Sequence, residues 1–139
     1  TAASGCAANA GIPLTHRGLA QGCTFVTAHG ETEADLNWHA LANMRHTLVF
    51  YMGLSKAAWI QNSLLAQGMP GRTPVAFIEN GCRPDQRILP GCLHELAALV
   101  ERYDIESPAL ILVGEVVALA TQLQPEVVHS PFCERRLSA

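Results

Sequence analysis

Lysine is nearly absent: Lys56 is the only one among nine basic residues, and the sole basic doublet is Arg135-Arg136 near the end. With 15% charged residues and a formal charge of −3, the sequence offers no electrostatic footprint for a phosphate backbone, which excludes bulk nucleic-acid binding. Long apolar runs are missing too. The most hydrophobic stretches, Ala109 to Val113 and Glu115 to Ala120, fall far short of the roughly 20 residues of a membrane span, and no signal peptide is expected ahead of them. Neither G-x-x-x-x-G-K-[ST] nor G-x-G-x-x-G occurs, so a P-loop and a dinucleotide fingerprint are both excluded. Ser4, His16 and Asp35 satisfy hydrolase arithmetic on paper, but no G-x-S-x-G elbow accompanies them. The five cysteines (Cys6, Cys23, Cys82, Cys92, Cys133) contain no C-x-x-C pair. They predict reduced thiols and a cytoplasmic setting, and with the six histidines they form no recognised ligand spacing, so no metal site is expected.

What is present describes one domain. Of the 139 residues, 49% are hydrophobic, enough for a single core and too few residues for two. The alanine-rich opening predicts a helix over Ala2 to Ala10, with Thr1 as N-cap, Gly11 as stop and Pro13 preventing continuation. A cap at residue 1 leads us to expect a strand and turn before it in the parent protein. Cys23 to Ala28 and Thr47 to Met52 read as strands, separated by a solvated loop from His29 to Asn37 and a short helix from Trp38 to Met44. Continuous apolar character without alternation indicates strands covered on both faces. Ser55 is the expected N-cap of a helix ending at Gly68, and Val75 to Ile78 is a third strand. Asn80-Gly81 then suggests a turn into an antiparallel partner from Gln86 to Leu89. A helix from Leu93 to Tyr103 precedes Ala109 to Val113, the best candidate for a central strand, and a short helix follows from Glu115 to Gln122. These elements predict an α/β fold: a mixed sheet of about five strands with helices on both faces, over residues 1–124, followed by a tail at 125–139.

Ligands of open α/β sheets gather beyond the carboxyl ends of strands. Three such ends stand out: Tyr51-Met52-Gly53, Glu79-Asn80-Gly81-Cys82 and Val113-Gly114-Glu115. Each combines a glycine with an apolar or polarizable neighbour, and none pairs a base with a nucleophile, which suits a cofactor pocket better than a covalent catalyst. Met52 can lay its sulfur against a flat heterocycle, or simply fill core space. Gly11-Ile-Pro-Leu-Thr-His-Arg17 joins a rigid turn to two polar side chains. Those side chains either cap nearby carbonyls or hold an anionic ligand group.

The strings TAASGCAANAGIPLTHRGLAQ, FVTAH, TLVFYMGL, PVAFIENG and ALILVGEVV, in this order, resemble the C-terminal half of the uroporphyrinogen-III C-methyltransferases. This is a branch of the tetrapyrrole methylases that also supplies the methylase module of siroheme synthase. The resemblance covers nearly all of the chain, up to about Leu123. It implies an enzyme using S-adenosyl-L-methionine (SAM), with S-adenosylhomocysteine as product, to methylate uroporphyrinogen III to precorrin-2 on the way to siroheme or cobalamin. Carried over by position, Thr1, Ala2, Met52 and Gly81 are the implied cofactor contacts. His16 and Arg17 lie in the GIPLTHR segment, and we expect them to meet a substrate carboxylate. The resemblance also implies a homodimer and a partner N-terminal subdomain bearing a glycine-rich loop and the groups that handle protons, so no residue here is assigned a catalytic role. Cys82 stands where relatives usually have threonine, and Ala28 where they usually have glycine. A cleft lacking one wall predicts self-association through the cofactor edge of the sheet. A derived, non-catalytic nucleotide-binding or dimerisation domain is the alternative from a different class. A diphthamide-type or other tetrapyrrole methylase is a third reading, against which the GIPLTHR segment argues.

Overall fold

The computed structural model describes residues 1–29 and 36–120. Among these described residues are four α-helices, α1 (Ala2–Asn9), α2 (Trp38–Asn43), α3 (Ala57–Ala66) and α4 (Leu96–Arg102), and five strands, β1 (Cys23–Thr27), β2 (Thr47–Tyr51), β3 (Pro74–Glu79), β4 (Arg87–Cys92) and β5 (Ala109–Val113). The strands form one mixed sheet in the order β1-β2-β5-β3-β4. β1 and β2 are parallel, while β5 is antiparallel to both β2 and β3, and β4 is antiparallel to β3. The α/β, mixed, five-stranded architecture is as the sequence predicts, with Ala109 to Val113 in the middle of the sheet.

Alternation along the central strands sends side chains into two cores. On one face Leu48, Phe50, Phe77, Leu89, Ile111 and Val113 pack with Ile60 and Leu64 of α3 and Leu96 and Leu99 of α4. On the other, Val49, Ala76, Ile78 and Leu112 meet Ala3, Ala7 and Ala10 together with Ile12, Val116 and Val117. Helical segments therefore cover both faces. On the α1 side the buried helix contacts are the alanines Ala3 and Ala7.

Local chemistry explains most element ends. The Thr1 hydroxyl accepts from the Ser4 amide at 3.4 Å. At the other end of α1 the chain leaves through Gly11 at φ +73°, and the Ile12 amide donates to the Ala7 carbonyl at 2.9 Å, satisfying an orphan acceptor of the last turn. Ser55 does not cap α3. It lies inside a 3₁₀ turn over Leu54–Lys56 entered from Gly53, and α3 starts at Ala57 without a side-chain cap. The helix expected from Leu93 likewise begins as a 3₁₀ turn, Leu93–Glu95, where the Glu95 carboxylate accepts from the Cys92 amide at 3.1 Å. The short helix expected from Glu115 opens as a 3₁₀ turn, Glu115–Leu119. The boundary at residue 124, the tail at 125–139 and most of the loop expected after His29 lie outside the described residues.

Cys6, Cys23 and Cys82 are free thiols. Cys92 is disulfide-bonded, so the expectation of a wholly reduced set is corrected there. Among the described residues no helix is long and apolar enough to cross a membrane, and no three His, Cys, Asp or Glu side chains cluster as metal ligands.

Candidate functional site

The strand directions decide where a site can form. β1, β2 and β3 run the same way, so their carboxyl ends share one edge of the sheet, to which the antiparallel β5 contributes its amino end. Of the three strand ends singled out from sequence, two therefore converge. The third, Val113-Gly114-Glu115, sits at the opposite edge, where the Gly114 amide donates to the Pro74 carbonyl at the start of β3.

At the convergent edge lies a cavity of about 690 Å³, within the roughly 300–1,000 Å³ usual for small-molecule sites. Ala2 and Cys6 of α1 form one wall, Tyr51 and Met52 another, Ile78 and Gly81 a third, and Pro108, Ala109 and Leu110 the fourth. Met52 turns sharply off β2 with φ +53°, an uncommon conformation for a non-glycine residue, and is 65% exposed at the rim. Gly81 is required by packing, because a Cβ there would run into the Cys6 side chain. The Tyr51 hydroxyl accepts from the Ala3 amide at 3.1 Å, which pairs one of the orphan donors of α1 and fixes the helix start above the cavity.

Polar groups are few. His29, Ser55, Arg83 and Ser107 reach the lining, and no carboxylate does so among the described residues. Glu79, which follows the lining residue Ile78, is committed elsewhere. Its carboxylate accepts from Arg87 Nε at 2.6 Å, from an Arg87 terminal nitrogen at 2.9 Å and from the Glu106 amide at 2.7 Å. The Arg87 hydrogen bonds hold its pKa below the ordinary carboxylate value against the opposing effect of burial. The site can therefore enclose a largely apolar ligand, with His29, Ser55, Arg83 and Ser107 as polar contacts.

Of the residues singled out from sequence, Ala2, Met52 and Gly81 line the cavity, and Thr1 caps the helix one residue away from that wall. His16 and Arg17 are not in the lining. They occupy an exposed turn closed by His16 and Ala20, whose backbones exchange bonds at 2.9 and 3.0 Å, and His16 Nδ1 lies 3.0 Å from the Arg17 carbonyl oxygen. Sequence reasoning missed Tyr51 as an anchor of α1, along with His29, Arg83 and the Ser107 to Leu110 wall. The direction of β5 was the lacking signal. The turn suspected at Asn80-Gly81 reverses the chain into β4, and the direction of β5 then depends on the crossover through α4.

The first 97 residues match the model of the tetrapyrrole (corrin/porphyrin) methylases. Siroheme synthase 3 of Aeromonas hydrophila is 58% identical over 124 residues, covering 88% of this chain and 26% of that protein. A siroheme synthase of Escherichia coli O139:H28 is 50% identical over 123 residues, with the same coverages of 88% and 26%. Among solved structures, the uroporphyrin-III C-methyl transferase of Thermus thermophilus complexed with S-adenyl homocysteine superposes with a TM-score of 0.69 at 35% identity. That match covers 80% of this chain and 49% of the other. A cobalt precorrin-4 methyltransferase shares the fold, with a TM-score of 0.76 at 22% identity over 84% of this chain and 50% of its own. The chain thus spans about a quarter of the siroheme synthases and about half of the solved enzymes. The extent of the family match, borne on the same mixed sheet, makes this chain a member of the tetrapyrrole methylase family.

Proposed function

We propose that the chain is the C-terminal, cofactor-contributing subdomain of a SAM-dependent methyltransferase that converts uroporphyrinogen III to precorrin-2 for siroheme or cobalamin. The observation carrying this reading is the apolar cavity, where Ala2, Met52 and Gly81 meet from three separate elements. It is supported by the relative whose solved complex holds S-adenyl homocysteine. The residues fit such a cofactor. A methionine sulfur and aliphatic walls suit a flat heterocycle, and Gly81 has no side chain to keep a ligand off the backbone.

When bound, SAM supplies an electrophilic sulfonium methyl group. The chain's own residues orient and enclose: α1 is held in place by Tyr51, Met52 closes the rim, and the apolar walls exclude water. Proton removal is assigned to the N-terminal subdomain of the parent, as the family resemblance implies. Thr1 and Ala2 are assigned to the cofactor, and His16 and Arg17 to a tetrapyrrole carboxylate reached from outside the cavity. A cytoplasmic location belongs to the same reading, with the free thiols Cys6, Cys23 and Cys82 in its favour and the disulfide-bonded Cys92 against it. The homodimer is part of it too.

Calorimetric titration of the 139-residue chain with S-adenosylhomocysteine tests the cavity. Binding is expected, weakened about tenfold by Met52→Ala, equivalent to about 1.4 kcal/mol. A wild-type chain that takes up no ligand would remove the cofactor role of this half and favour a non-catalytic dimerisation domain. In the complete methyltransferase, Arg17→Ala is expected to raise the KM for the tetrapyrrole about tenfold while leaving S-adenosylhomocysteine affinity intact, the size of a lost charge-assisted hydrogen bond. Unchanged KM would strike Arg17 from the site. Light scattering of the isolated chain is expected to show self-association through the open cavity edge. A monodisperse monomer would count against that edge as an interface.

A further inference from the structure

Cys6 and Cys82 are 76 residues apart in sequence, yet their sulfurs lie 4.0 Å from each other. Cys6 projects from α1 and lines the cavity, while Cys82 follows Gly81 in the exposed turn between β3 and β4. Both are free thiols. The glycine between them and the strand permits the approach, since a side chain at 81 would displace Cys6. A disulfide needs a sulfur separation of about 2.05 Å. The gap is thus about 2 Å, and one of its two partners sits on a surface turn rather than in a packed element.

We propose that Cys6 and Cys82 are an oxidation site, which a low-molecular-weight disulfide of the glutathione class converts to an intramolecular bridge between α1 and the β3–β4 turn. Cys82 is the entry point because it is exposed. Its thiolate attacks one sulfur of oxidised glutathione, the glutathione S–S bond breaks, and one glutathione leaves as thiolate, which takes up the proton Cys82 gave up. Cys6, deprotonated, then attacks the Cys82 sulfur, forming the Cys6–Cys82 bond and expelling the second glutathione. Two protein thiols are oxidised and one glutathione disulfide is reduced to two thiols. Burial, and the neighbouring Cys82, push the Cys6 thiol upward, which makes it the slower, resolving partner. The bridge ties the first helix to the turn that carries Gly81, across one wall of the cavity. It rests on thiol geometry alone and does not depend on what the cavity binds.

The test uses the whole chain, treated with dithiothreitol, desalted, exposed to oxidised glutathione, alkylated and digested for mass spectrometry. The peptides of Cys6 and Cys82 are expected as one cross-linked species that dithiothreitol separates, with Cys23 left alkylated. Cys82→Ser should abolish the cross-link and leave Cys6 alkylated, while Cys23→Ser should leave the cross-link in place. Full alkylation of Cys6 in the oxidised wild-type chain, arrest of Cys82 as a stable glutathione adduct, or pairing of Cys6 with Cys23 would each overturn the proposal.

Discussion

Phe77→Ala is expected to cost about 3–5 kcal/mol of folding stability, the range for removing a fully enclosed aromatic ring. Phe77 has no solvent exposure and lies at the middle of β3, between Leu89 on β4 and Ile111 on β5. Its cluster includes Ile60, Leu64, Leu96 and Leu99 on the overlying helices. Those neighbours are held by sheet pairing on one side and by helix–helix packing on the other, so they have little freedom to collapse into the space left. Domains of this size are stable by only about 5–15 kcal/mol, so the loss is a large share of the total. Urea denaturation should show a lower midpoint at unchanged slope. A shift below about 1 kcal/mol would mean that the helical layer closes over the void, contrary to the packing described. Ala76, one residue away on the opposite face, belongs to the cluster with Ala3, Ala7 and Ala10. Adjacent positions on one strand thus meet different neighbours, Phe77 the large side chains of α3 and α4 and Ala76 the alanines of α1.

Glu79→Gln is the second large effect, about 1.5–3 kcal/mol at neutral pH, as for hydrogen bonds to a charged group. The carboxylate is nearly buried while the Arg87 side chain is 42% exposed, so solvent screening places the cost toward the low end. The Glu106 amide is its second partner, and the same Arg87 also donates to the Tyr103 carbonyl at 2.9 Å. The ion pair thereby pins the segment that leads from α4 into β5 and forms one wall of the cavity. Because the folded pKa of Glu79 lies below its ordinary value of 4.5, its contribution is fully present above 4.5 and is lost as pH falls through the folded value. The stability gap between wild type and Glu79→Gln should therefore be widest near neutral pH and shrink on acidification below 4.5. Paired urea titrations across that range measure the gap directly. A gap independent of pH would show that shape, and not the ionised carboxylate, is responsible.

Much of the fold is legible in the residues themselves. Continuous apolar runs mark β2, β3 and β5 as strands buried on both faces, and the greater hydrophobicity of Ala109 to Val113 identifies the central strand. Thr1 and Gly11 bracket α1, and the quoted strings alone carry the family. Short-range chemistry is enough for these features, because burial of a run and capping of a helix depend on residues close in sequence.

Other features required the tertiary structure. Hydrophobicity states that a strand is covered but not which way it runs. Here the β3–β4 hairpin reverses the chain, the helical crossover through α4 preserves that reversed direction, and β5 enters between β2 and β3 pointing the other way. That one fact moves Val113-Gly114-Glu115 away from the site and brings Ser107 to Leu110 into it. The 3₁₀ entry to α3, the place of His16 and Arg17 outside the cavity wall, and the meeting of Cys6 with Cys82 are of the same kind. Sequence by itself determined what the elements are and which family they compose. Which ends share an edge, and so which residues can touch one ligand, was decided by long-range strand pairing, which no local propensity encodes.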